Sequence, residues 1–322
     1  MKKSIFVLFA AVMIVAAFAC GCTGTGDVTP TPTVTPTAAE TTAAPAETQT
    51  LLIATTTSLY DTGLLDALKA DFEKKYNAKV DILSAGTGKA LGYGENGDVD
   101  VMMVHDRARE DAFLEAGHGI DRRVFAYNFF VIVGPASDPA GVKNMTPEQA
   151  FTTIREKGLA DPATVKFVSR GDDSGTHSKE KAIWKAAGFN YSTDIQKSGE
   201  WYIEAGTGMG ATLVMADEKQ AYTLSDIGTY LASKDKITLV PLVSEGDVLL
   251  NVYSAMQINP EKHPGVNSTI AKDWINYLIT PETQKTIETF GVDKYGEPLF
   301  YPAAGNWEKI GVNQSEVEDP VA

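Results

Sequence analysis

The chain has 322 residues, 43% of them hydrophobic, and carries a formal net charge of −14 from 28 basic and 42 acidic side chains. This charge argues against nucleic acid as a partner, because no basic stripe is available to neutralise phosphates. It does not exclude a small anion, because charges beyond a Debye length of roughly 8 Å are largely screened and local groups decide affinity.

The first 22 residues have the organisation of an export signal. A short basic start precedes an apolar run, 5–19, that is shorter than the roughly 20 residues needed by a membrane-spanning helix. Small residues before a cysteine end the run, as in a lipobox, and both Cys20 and Cys22 fit as the lipidated residue. We therefore predict a signal peptide with a lipobox at 1–22 and a protein lipid-anchored to the outer face of the cytoplasmic membrane. A plain cleaved signal or an uncleaved anchor is the alternative.

Residues 23–49 are rich in Thr, Pro and Ala and have few large apolar side chains, which is typical of an extended tether. Both cysteines lie before this segment, so the folded part depends on a large apolar core and not on an internal disulfide. From residue 50 onward the chain is long enough for two domains of ordinary size.

Alternating strand and helix signals follow the tether. Apolar segments at 51–54, 80–83 and 99–104 predict strands, and the stretches between them predict helices. The first of these helices has an apolar face at 3.6-residue spacing, formed by Leu64, Leu65, Leu68 and Phe72. This order is the βαβ pattern of a parallel sheet flanked by helices.

Two long apolar segments predict strands that cross between two lobes. Residues 125–135 leave the first domain, and residues 249–256 return to it. We therefore predict an α/β fold in which residues 50–134 and 248–322 form lobe 1 and residues 135–247 form lobe 2. A cleft then lies between the lobes, at the switch points of both sheets.

A run of polar residues and glycines, 169–177, follows a strand-like segment and precedes a helix predicted at 179–187. The N-terminus of a helix leaves its first N–H groups unpaired and carries the positive end of the helix dipole, so it can hold an anion. Arg170 adds a permanent charge there, and Ser174 and Thr176 add hydroxyl donors. The run therefore predicts an anion-binding corner.

Two further donor-rich corners precede predicted helices. One contains Thr56 and Ser58, and the other contains Ser84 and Thr87. Ser and Thr before a helix also act as ordinary N-caps worth about 1 kcal/mol, which is the simpler interpretation of any one corner. A cap needs no guanidinium, so three such corners together with Arg170 favour an anion site among them.

Two glycine patterns match dinucleotide-binding signatures. Residues 92–97 match GxGxxG, but no strand directly precedes them, so we predict a turn there. Residues 206–211 match GxGxxA and are interpreted as a strand-to-helix turn near the anion, because an exported protein has no routine supply of the cofactor. We therefore expect no cofactor.

A secreted serine hydrolase is the alternative from another class, since His177 lies close to Ser174. The segment has no GxSxG elbow, however, and this spacing places the histidine on a helix face. His105, His118 and His263 are scattered without metal-ligand spacing, so we interpret them as surface or loop residues and predict no metal site. A scaffold protein, whose corners are caps only, is the third hypothesis.

Several separate segments together resemble the tungstate-binding proteins of ABC importers, two-lobed solute-binding proteins related to phosphate and molybdate binders. The resemblance spans most of the folded region and rests on segments 55–58, 127–128, 130–135, 169–177, 206–213 and 222–226. Phe129, Ala205 and Ile227 depart from the family pattern. None of them replaces an oxyanion donor, so they bear on fine specificity and not on the class.

The resemblance implies a periplasmic-binding-protein-like fold of type II, in which each lobe is a mixed, mainly parallel sheet flanked by helices and two hinge strands join the lobes. The residues that it implies for oxyanion binding are Thr56, Ser58, Ser84, Thr87, Arg170, Ser174 and Thr176. Asp172 would pair with Arg170 and aim it, and a solvated loop position is an equally good interpretation of Asp172. The implied function is that of a monomer, not an enzyme, that closes on tungstate or molybdate and delivers it to an ABC permease with its ATPase.

Phosphate, molybdate and sulfate are the other candidate ligands. Phosphate carries a proton near neutral pH and needs an acceptor in its site, whereas tungstate, molybdate and sulfate only accept hydrogen bonds. Asp98 and Asp100 are candidate acceptors, but acidic residues at such a turn are more often solvated. The choice of tungstate over molybdate rests on the resemblance.

Overall fold

The computed structural model describes residues 48–322, which belong to one compact unit, Ala46–Ala322. The predicted signal peptide with Cys20 and Cys22, and the predicted tether up to residue 47, lie outside the described residues. Within the described residues, none of the helices has the length and apolar character needed to cross a membrane.

The described residues form strands and helices in alternation. The strands are β1 Gln49–Thr56, β2 Ala78–Ala85, β3 Val101–Val104, β4 Gly119–Gly134, β5 Phe167–Ser169, β6 Tyr202–Glu204, β7 Thr223–Asp226, β8 Val240–Val243, β9 Leu250–Ile258 and β10 Tyr301–Pro302. The helices are α1 Thr57–Asp61, α2 Leu64–Tyr76, α3 Thr87–Asn96, α4 Arg107–Glu115, α5 Pro147–Ala160, α6 Gly175–Ala186, α7 Met209–Glu218, α8 Ile227–Ser233, α9 Ser268–Leu278, α10 Pro281–Thr289, α11 Val292–Tyr295 and α12 Ser315–Glu318. A π-helical turn at Tyr191–Ile195 and 3-10 turns at Lys234–Lys236 and Asp247–Leu249 lie between them.

The main sheet has the strand order β10-β4-β9-β3-β1-β2, and β7 and β8 pair with β4 beyond this path. β1 runs parallel to β2 and β3, whereas β9 runs antiparallel to β3 and β4. β5 and β6 form a separate parallel pair. Helices flank these sheets, so the predicted mixed α/β fold class is confirmed.

Local sequence explains where these elements form. All four residues of the central strand β3 are buried, as expected for an apolar strand covered on both faces. The apolar stripe of α2 packs through Phe72 against Trp274, with ring centroids 4.9 Å apart. α5 begins with a capping box between Thr146 and Gln149 and has a proline in its first turn.

The two predicted crossing strands are β4 and β9. They pair antiparallel from Gly119↔Ile258 to Phe129↔Leu250, with irregular register at two points. The C-terminal end of β4 continues past β9 and pairs with β7 and β8. β4 therefore carries the chain from the first set of strands into the second.

The apolar cores bear on the predicted lobes. One core lies wholly within residues 130–249 and includes Phe151 and Trp201. Another, built around Trp274, also takes in Met209 from the predicted lobe 2. The predicted boundaries of the two lobes therefore stay a prediction.

Residues 92–97, predicted as a turn, form the end of α3 and its cap, so that prediction was wrong. A Cβ atom on Gly94 would lie 2.8 Å from the ring of Phe113 and 2.9 Å from Ile258. Helix packing, and not a cofactor, therefore accounts for this glycine.

Six of the described strands end where a helix begins, and this places the candidate site. The six corners are β1–α1, β2–α3, β3–α4, β5–α6, β6–α7 and β7–α8. Parallel pairing joins β1 to β2 and β5 to β6, so the carboxyl ends within each pair lie at the same edge. Helix N-termini with unpaired N–H groups are gathered at these edges.

Candidate functional site

The corner between β5 and α6 contains a cap and an unused hydroxyl. α6 begins at Gly175 and not at residue 179 as predicted, so Thr176 and His177 lie in its first turn. Ser174 is the N-cap, and its Oγ accepts a hydrogen bond from the His177 N–H at 3.2 Å. Thr176 is buried, and its hydroxyl has no hydrogen-bond partner within residues 48–322.

Arg170 is only 2% exposed and is held by the same corner. Its Nη2 donates to Asp172 Oδ2 at 2.5 Å, and Asp172 Oδ1 accepts from the Ser174 N–H at 3.2 Å. Among the described residues, the Nε of Arg170 has no hydrogen-bond partner. Asp172 thus ties the guanidinium to the helix cap and leaves a donor of the guanidinium free.

Two glycines bring the next corner beside Arg170. Gly171 has φ +60°, and a Cβ atom there would lie 2.6 Å from the Cβ of Glu204, so only glycine fits. The Gly206 N–H donates to the Arg170 carbonyl at 2.8 Å. Residues 206–208 lie in the turn between β6 and α7 and residues 209–211 begin α7, so the prediction of a strand-to-helix turn is confirmed.

The corner between β1 and α1 buries Thr56 and Ser58 side by side. Thr56 is the N-cap of α1, and its Oγ1 accepts from the Leu59 N–H at 3.3 Å. The hydroxyl oxygens of Thr56 and Ser58 are 3.4 Å apart. Ser58 Oγ also lies 3.1 Å from Nε2 of His105.

The corner between β2 and α3 contributes Thr87 but not Ser84. Thr87 is the first residue of α3 and is fully buried, and within the described part of the chain its hydroxyl has no partner. The N-cap, Gly86, makes no side-chain cap bond. Ser84 is exposed, opposite Thr55 in the register of β1 and β2, so the structure does not place it among the buried donors.

These corners face one another. A Cβ atom on Gly86 would lie 4.0 Å from the Asp172 carbonyl oxygen, and one on Gly175 would lie 2.9 Å from Cε1 of His105. We call the grouped side chains the donor cluster: Thr56, Ser58, Thr87, Arg170, Ser174 and Thr176. We call Oγ1 of Thr87, Oγ1 of Thr176 and Nε of Arg170, which lack partners among residues 48–322, the unpaired donors.

Sequence reasoning missed His105, which was interpreted as a surface or loop residue. It is 6% exposed, and its ring stacks on Tyr253 at 4.9 Å. Its Nδ1 lies 2.9 Å from Oδ1 of Asn251. Burial lowers the pKa of His105 to about 4. Its partners lie 47 and 146 positions away in the chain, so no local pattern marks it.

Two further carboxylates act on Arg170. Asp226 is buried and accepts hydrogen bonds from the N–H and the hydroxyl of Thr229, at 2.8 and 2.7 Å. Burial raises the pKa of Asp226, and the charge of Arg170 opposes that rise. The same two causes act in the same directions on the pKa of Asp61. Three carboxyl groups therefore lie near Arg170, and Asp172 is the one hydrogen-bonded to it among the described residues.

Asp100, considered as an acceptor for phosphate, has a different role. It is buried, so the expectation of a solvated side chain was wrong for it. Its carboxylate accepts from the Leu52 N–H at 2.8 Å and from the Asn267 N–H at 2.6 Å. It therefore holds backbone of the sheet, whereas Asp98 is exposed.

A polar layer behind the Arg170 corner ends at Glu180. The Ser169 hydroxyl donates to Glu180 Oε2 at 2.5 Å, while its oxygen accepts from the Gly171 N–H at 3.1 Å. Tyr202 and Trp184 both donate to the other carboxylate oxygen. Burial raises the pKa of Glu180 to about 7. This layer holds the loop that carries Arg170 in place.

His177 and Ser174 are not arranged for hydrolysis. Nδ1 of His177 accepts from the Asp173 N–H at 3.1 Å, and Nε2 lies 2.8 Å from the hydroxyl of Tyr191. Ser174 Oγ instead accepts from the backbone of His177. Both ring nitrogens are engaged elsewhere, so the ring is not placed to take a proton from Ser174.

A cavity of about 470 Å³ adjoins the donor cluster, and His105 and Gly175 line it. Its basic lining residues are Arg107, Arg109, Lys179 and Lys181. The unpaired donors do not belong to the described residues that line it. We place the candidate site at the donor cluster, because buried polar groups without partners indicate a missing ligand more directly than open space does.

Comparisons with known proteins agree with the resemblance. The model of the PBP superfamily domain matches residues 39–282. The chain is 38% identical to the tungstate-binding protein TupA of Peptoclostridium acidaminophilum. The matched region of 302 residues covers 94% of this chain and 99% of that protein.

Two solved structures are also similar, each with a TM-score of 0.66. The tungstate-binding protein TupA from Desulfovibrio alaskensis G20 is 44% identical, and the match covers 79% of this chain and 98% of that one. The tungstate ABC transporter structure from Geobacter sulfurreducens is 47% identical, and the match covers 75% of this chain and 98% of that one. The resemblance found in the sequence is therefore confirmed.

Proposed function

Because the chain belongs to the PBP superfamily, we propose that it captures tungstate at the donor cluster and delivers it to an ABC permease. It is an extracytoplasmic substrate-binding protein and not an enzyme. The names of its relatives support this proposal, since three similar proteins are called tungstate-binding or tungstate transporter proteins.

The unpaired donors carry the proposal. A buried hydroxyl or guanidinium N–H without a partner costs about 1–3 kcal/mol, so several of them gathered at one place call for an explanation. Among the described residues three hydroxyls and two guanidinium nitrogens lack partners, and three of these five groups, on Thr87, Thr176 and Arg170, lie together in the donor cluster. A tetrahedral oxyanion has acceptor atoms for all of them at once and removes this cost when it binds.

The charge of the site favours an anion with no proton of its own. Of the carboxylates near Arg170, Asp172 pairs with the guanidinium, Asp226 pairs with Thr229 and Asp61 is exposed. Tungstate, molybdate and sulfate need only donors, which the donor cluster supplies, whereas phosphate also needs an acceptor for its proton. The relatives' names favour tungstate among these three.

Further features of the proposal concern the whole chain. The protein acts as a monomer, anchored to the membrane through a lipid on Cys20 or Cys22. Its two lobes close on the anion, and the permease recognises the closed form. The site takes the oxyanion itself and needs no resident metal or other cofactor.

Isothermal titration of the full-length protein with tungstate, molybdate, sulfate and phosphate in one buffer tests the proposal. We expect tight one-to-one binding of tungstate, weaker binding of molybdate and no heat from phosphate. Strongest binding of phosphate would keep the anion site and overturn the ligand. No binding of any of the four would overturn the function and return the donor-rich corners to the role of caps.

A further inference from the structure

A chain of hydrogen bonds fixes the proton on His105, starting from a backbone carbonyl. The carbonyl of Leu299 only accepts, so the atom of Asn128 that lies 3.2 Å from it is the amide nitrogen. The Oδ1 of Asn128 therefore faces Asn251, and it accepts from the amide nitrogen of Asn251 at 2.9 Å. The same nitrogen donates to the hydroxyl of Tyr253 at 2.8 Å.

This order sets the direction of the remaining bonds. Oδ1 of Asn251 is left facing Nδ1 of His105 at 2.9 Å, so Nδ1 carries the proton. In a neutral imidazole the other nitrogen, Nε2, is then an acceptor. The Ser58 hydroxyl, 3.1 Å away, donates its proton to Nε2. Ser58 therefore presents only lone pairs to the donor cluster.

A Ser58 hydroxyl that donates to His105 conflicts with a ligand that can only accept hydrogen bonds. Lone pairs of Ser58 would face lone pairs of a deprotonated oxyanion. If the hydroxyl turns to the ligand, Nε2 of His105 is left buried without a donor, which costs about 1–3 kcal/mol. A proton on Nε2 removes both conflicts, because the ring then donates to Ser58 and Ser58 donates to the anion.

Building on the proposed function, we infer that binding of a deprotonated oxyanion is coupled to uptake of one solvent proton at Nε2 of His105. The proton bonds to nitrogen, the Ser58 O–H bond only rotates, and no other bond forms or breaks. His105 thereby contributes to specificity. A protonated oxyanion such as monohydrogen phosphate can donate its own proton to Ser58 and needs no uptake.

The groups around His105 act on its charge in both directions. Asp106 favours the imidazolium, whereas Arg170 and Lys179 oppose it. The ring of Tyr253, stacked at 4.9 Å, excludes water on one side. Burial outweighs these charges in the free protein and lowers the pKa of His105 to about 4. A dianion in the donor cluster adds negative charge nearby and raises that pKa in the complex.

The inferred coupling fixes the direction in which the affinity for the oxyanion changes with pH. Between the pKa of the free protein, about 4, and the higher pKa of the complex, only the complex holds the extra proton. Affinity therefore rises as the pH falls through this window, by at most about tenfold per pH unit. Above the pKa of the complex the uptake disappears.

Calorimetry of the full-length protein with sodium tungstate tests this coupling directly. At one pH, the apparent binding enthalpy changes with the ionisation enthalpy of the buffer in proportion to the protons taken up. We expect uptake of up to about one proton, greater at about pH 6 than at about pH 8. An enthalpy that is the same in all buffers at both pH values would overturn the coupling and leave the tungstate site standing. No tungstate binding at all would overturn the proposed function and the coupling with it.

A variant assigns the proton to its residue. His105→Gln removes the group that titrates, so the dependence on buffer should disappear. His263→Gln is the matched control, because His263 packs against Gly97 and not against the donor cluster. Uptake that persists in His105→Gln would place the proton on another group near Arg170, such as Asp61 or Asp226, and would overturn the inference. Nitrogen NMR of the wild-type imidazole, with and without tungstate, gives the same assignment if the variant does not fold.

Discussion

Arg109 on α4 and Asp173 in the loop before α6 form an ion pair at 2.5 Å although they are 64 positions apart in the sequence. Arg109 also donates to the Asp173 carbonyl at 3.1 Å. Asp173 follows the Arg170 corner, and a Cβ atom on Gly88 near the start of α3 would lie 3.4 Å from its carboxylate. The pair therefore joins α4 to the loop before α6, beside the start of α3.

Arg109→Ala should weaken tungstate binding by up to about fivefold, mainly through faster release, because the pair is partly exposed to solvent. Stopped-flow fluorescence would measure the release rate. Lys285→Ala, which breaks the exposed pair between Lys285 and Glu288 on α10, is the control and should leave the release rate unchanged. Equal release rates in wild type and Arg109→Ala would refute the role of the pair.

Arg170→Ala should reduce tungstate affinity by at least about 30-fold, because it removes the cationic partner of a desolvated dianion. Arg170→Lys keeps the charge but loses the forked guanidinium that reaches Asp172 and the ligand together. Its tungstate affinity should therefore lie between that of wild type and that of Arg170→Ala. Calorimetric titration of wild type and the two variants with tungstate measures the order of their affinities. Wild-type affinity in Arg170→Ala would show that the anion binds elsewhere.

Thr87→Val and Thr176→Val should separate ligand binding from stability. Each replaces an unpaired donor by a methyl group of similar size, so the free protein should be as stable as wild type or more so. Tungstate affinity should fall about 10- to 150-fold for each. Thermal unfolding with and without tungstate measures both quantities.

Thr229→Val is the contrasting control for these two variants. The Thr229 hydroxyl donates to Asp226 at 2.7 Å, so its removal leaves a buried carboxylate oxygen without that bond. This variant should lose about 1–3 kcal/mol of stability without tungstate. Stability losses of the same size in all three variants would argue that Thr87 and Thr176 are also structural.

The stability of the protein should depend on pH through Glu110, which is buried on α4. Burial raises its pKa from 4.5 to about 7, and the nearest cation, Arg122, is 3.6 Å away. Between these pKa values the folded protein holds a proton that the unfolded chain releases, so stability falls as the pH rises, by up to about 1.4 kcal/mol per pH unit. Urea unfolding of Glu110→Gln should show a flatter dependence between about pH 5 and pH 7 than wild type. Parallel curves would contradict the assignment.

The sequence predicted the features whose signals are local. The strands that became β1, β2 and β3 are apolar runs, and the buried face of α2 follows a helical period. The Arg170 corner was predicted because its charge and hydroxyls occupy one short segment. Its helix begins earlier than predicted, because Gly175, a weak helix former, is the first helical residue.

Contacts between distant segments could not be predicted in this way. His105 has no partner nearby in the sequence and is assigned only through Ser58 and Asn251, which the sheet brings to it. Ser84 and Thr87 looked alike in sequence, but the pleat of β2 leaves Ser84 exposed while the first turn of α3 buries Thr87. Which of two similar hydroxyls is buried depends on packing, and packing is set by the whole fold.

The carbonyl of Leu299 lies 171 positions from Asn128 in the chain, yet it determines whether Ser58 shows a proton or a lone pair to the ligand. A residue outside the donor cluster can therefore decide whether the site prefers a protonated or a deprotonated oxyanion. Asn251→Asp, for example, would hold the His105 ring as an imidazolium and give Ser58 a proton to donate at neutral pH. Related proteins could thus diverge in the oxyanion that they carry while every residue of the donor cluster stays the same.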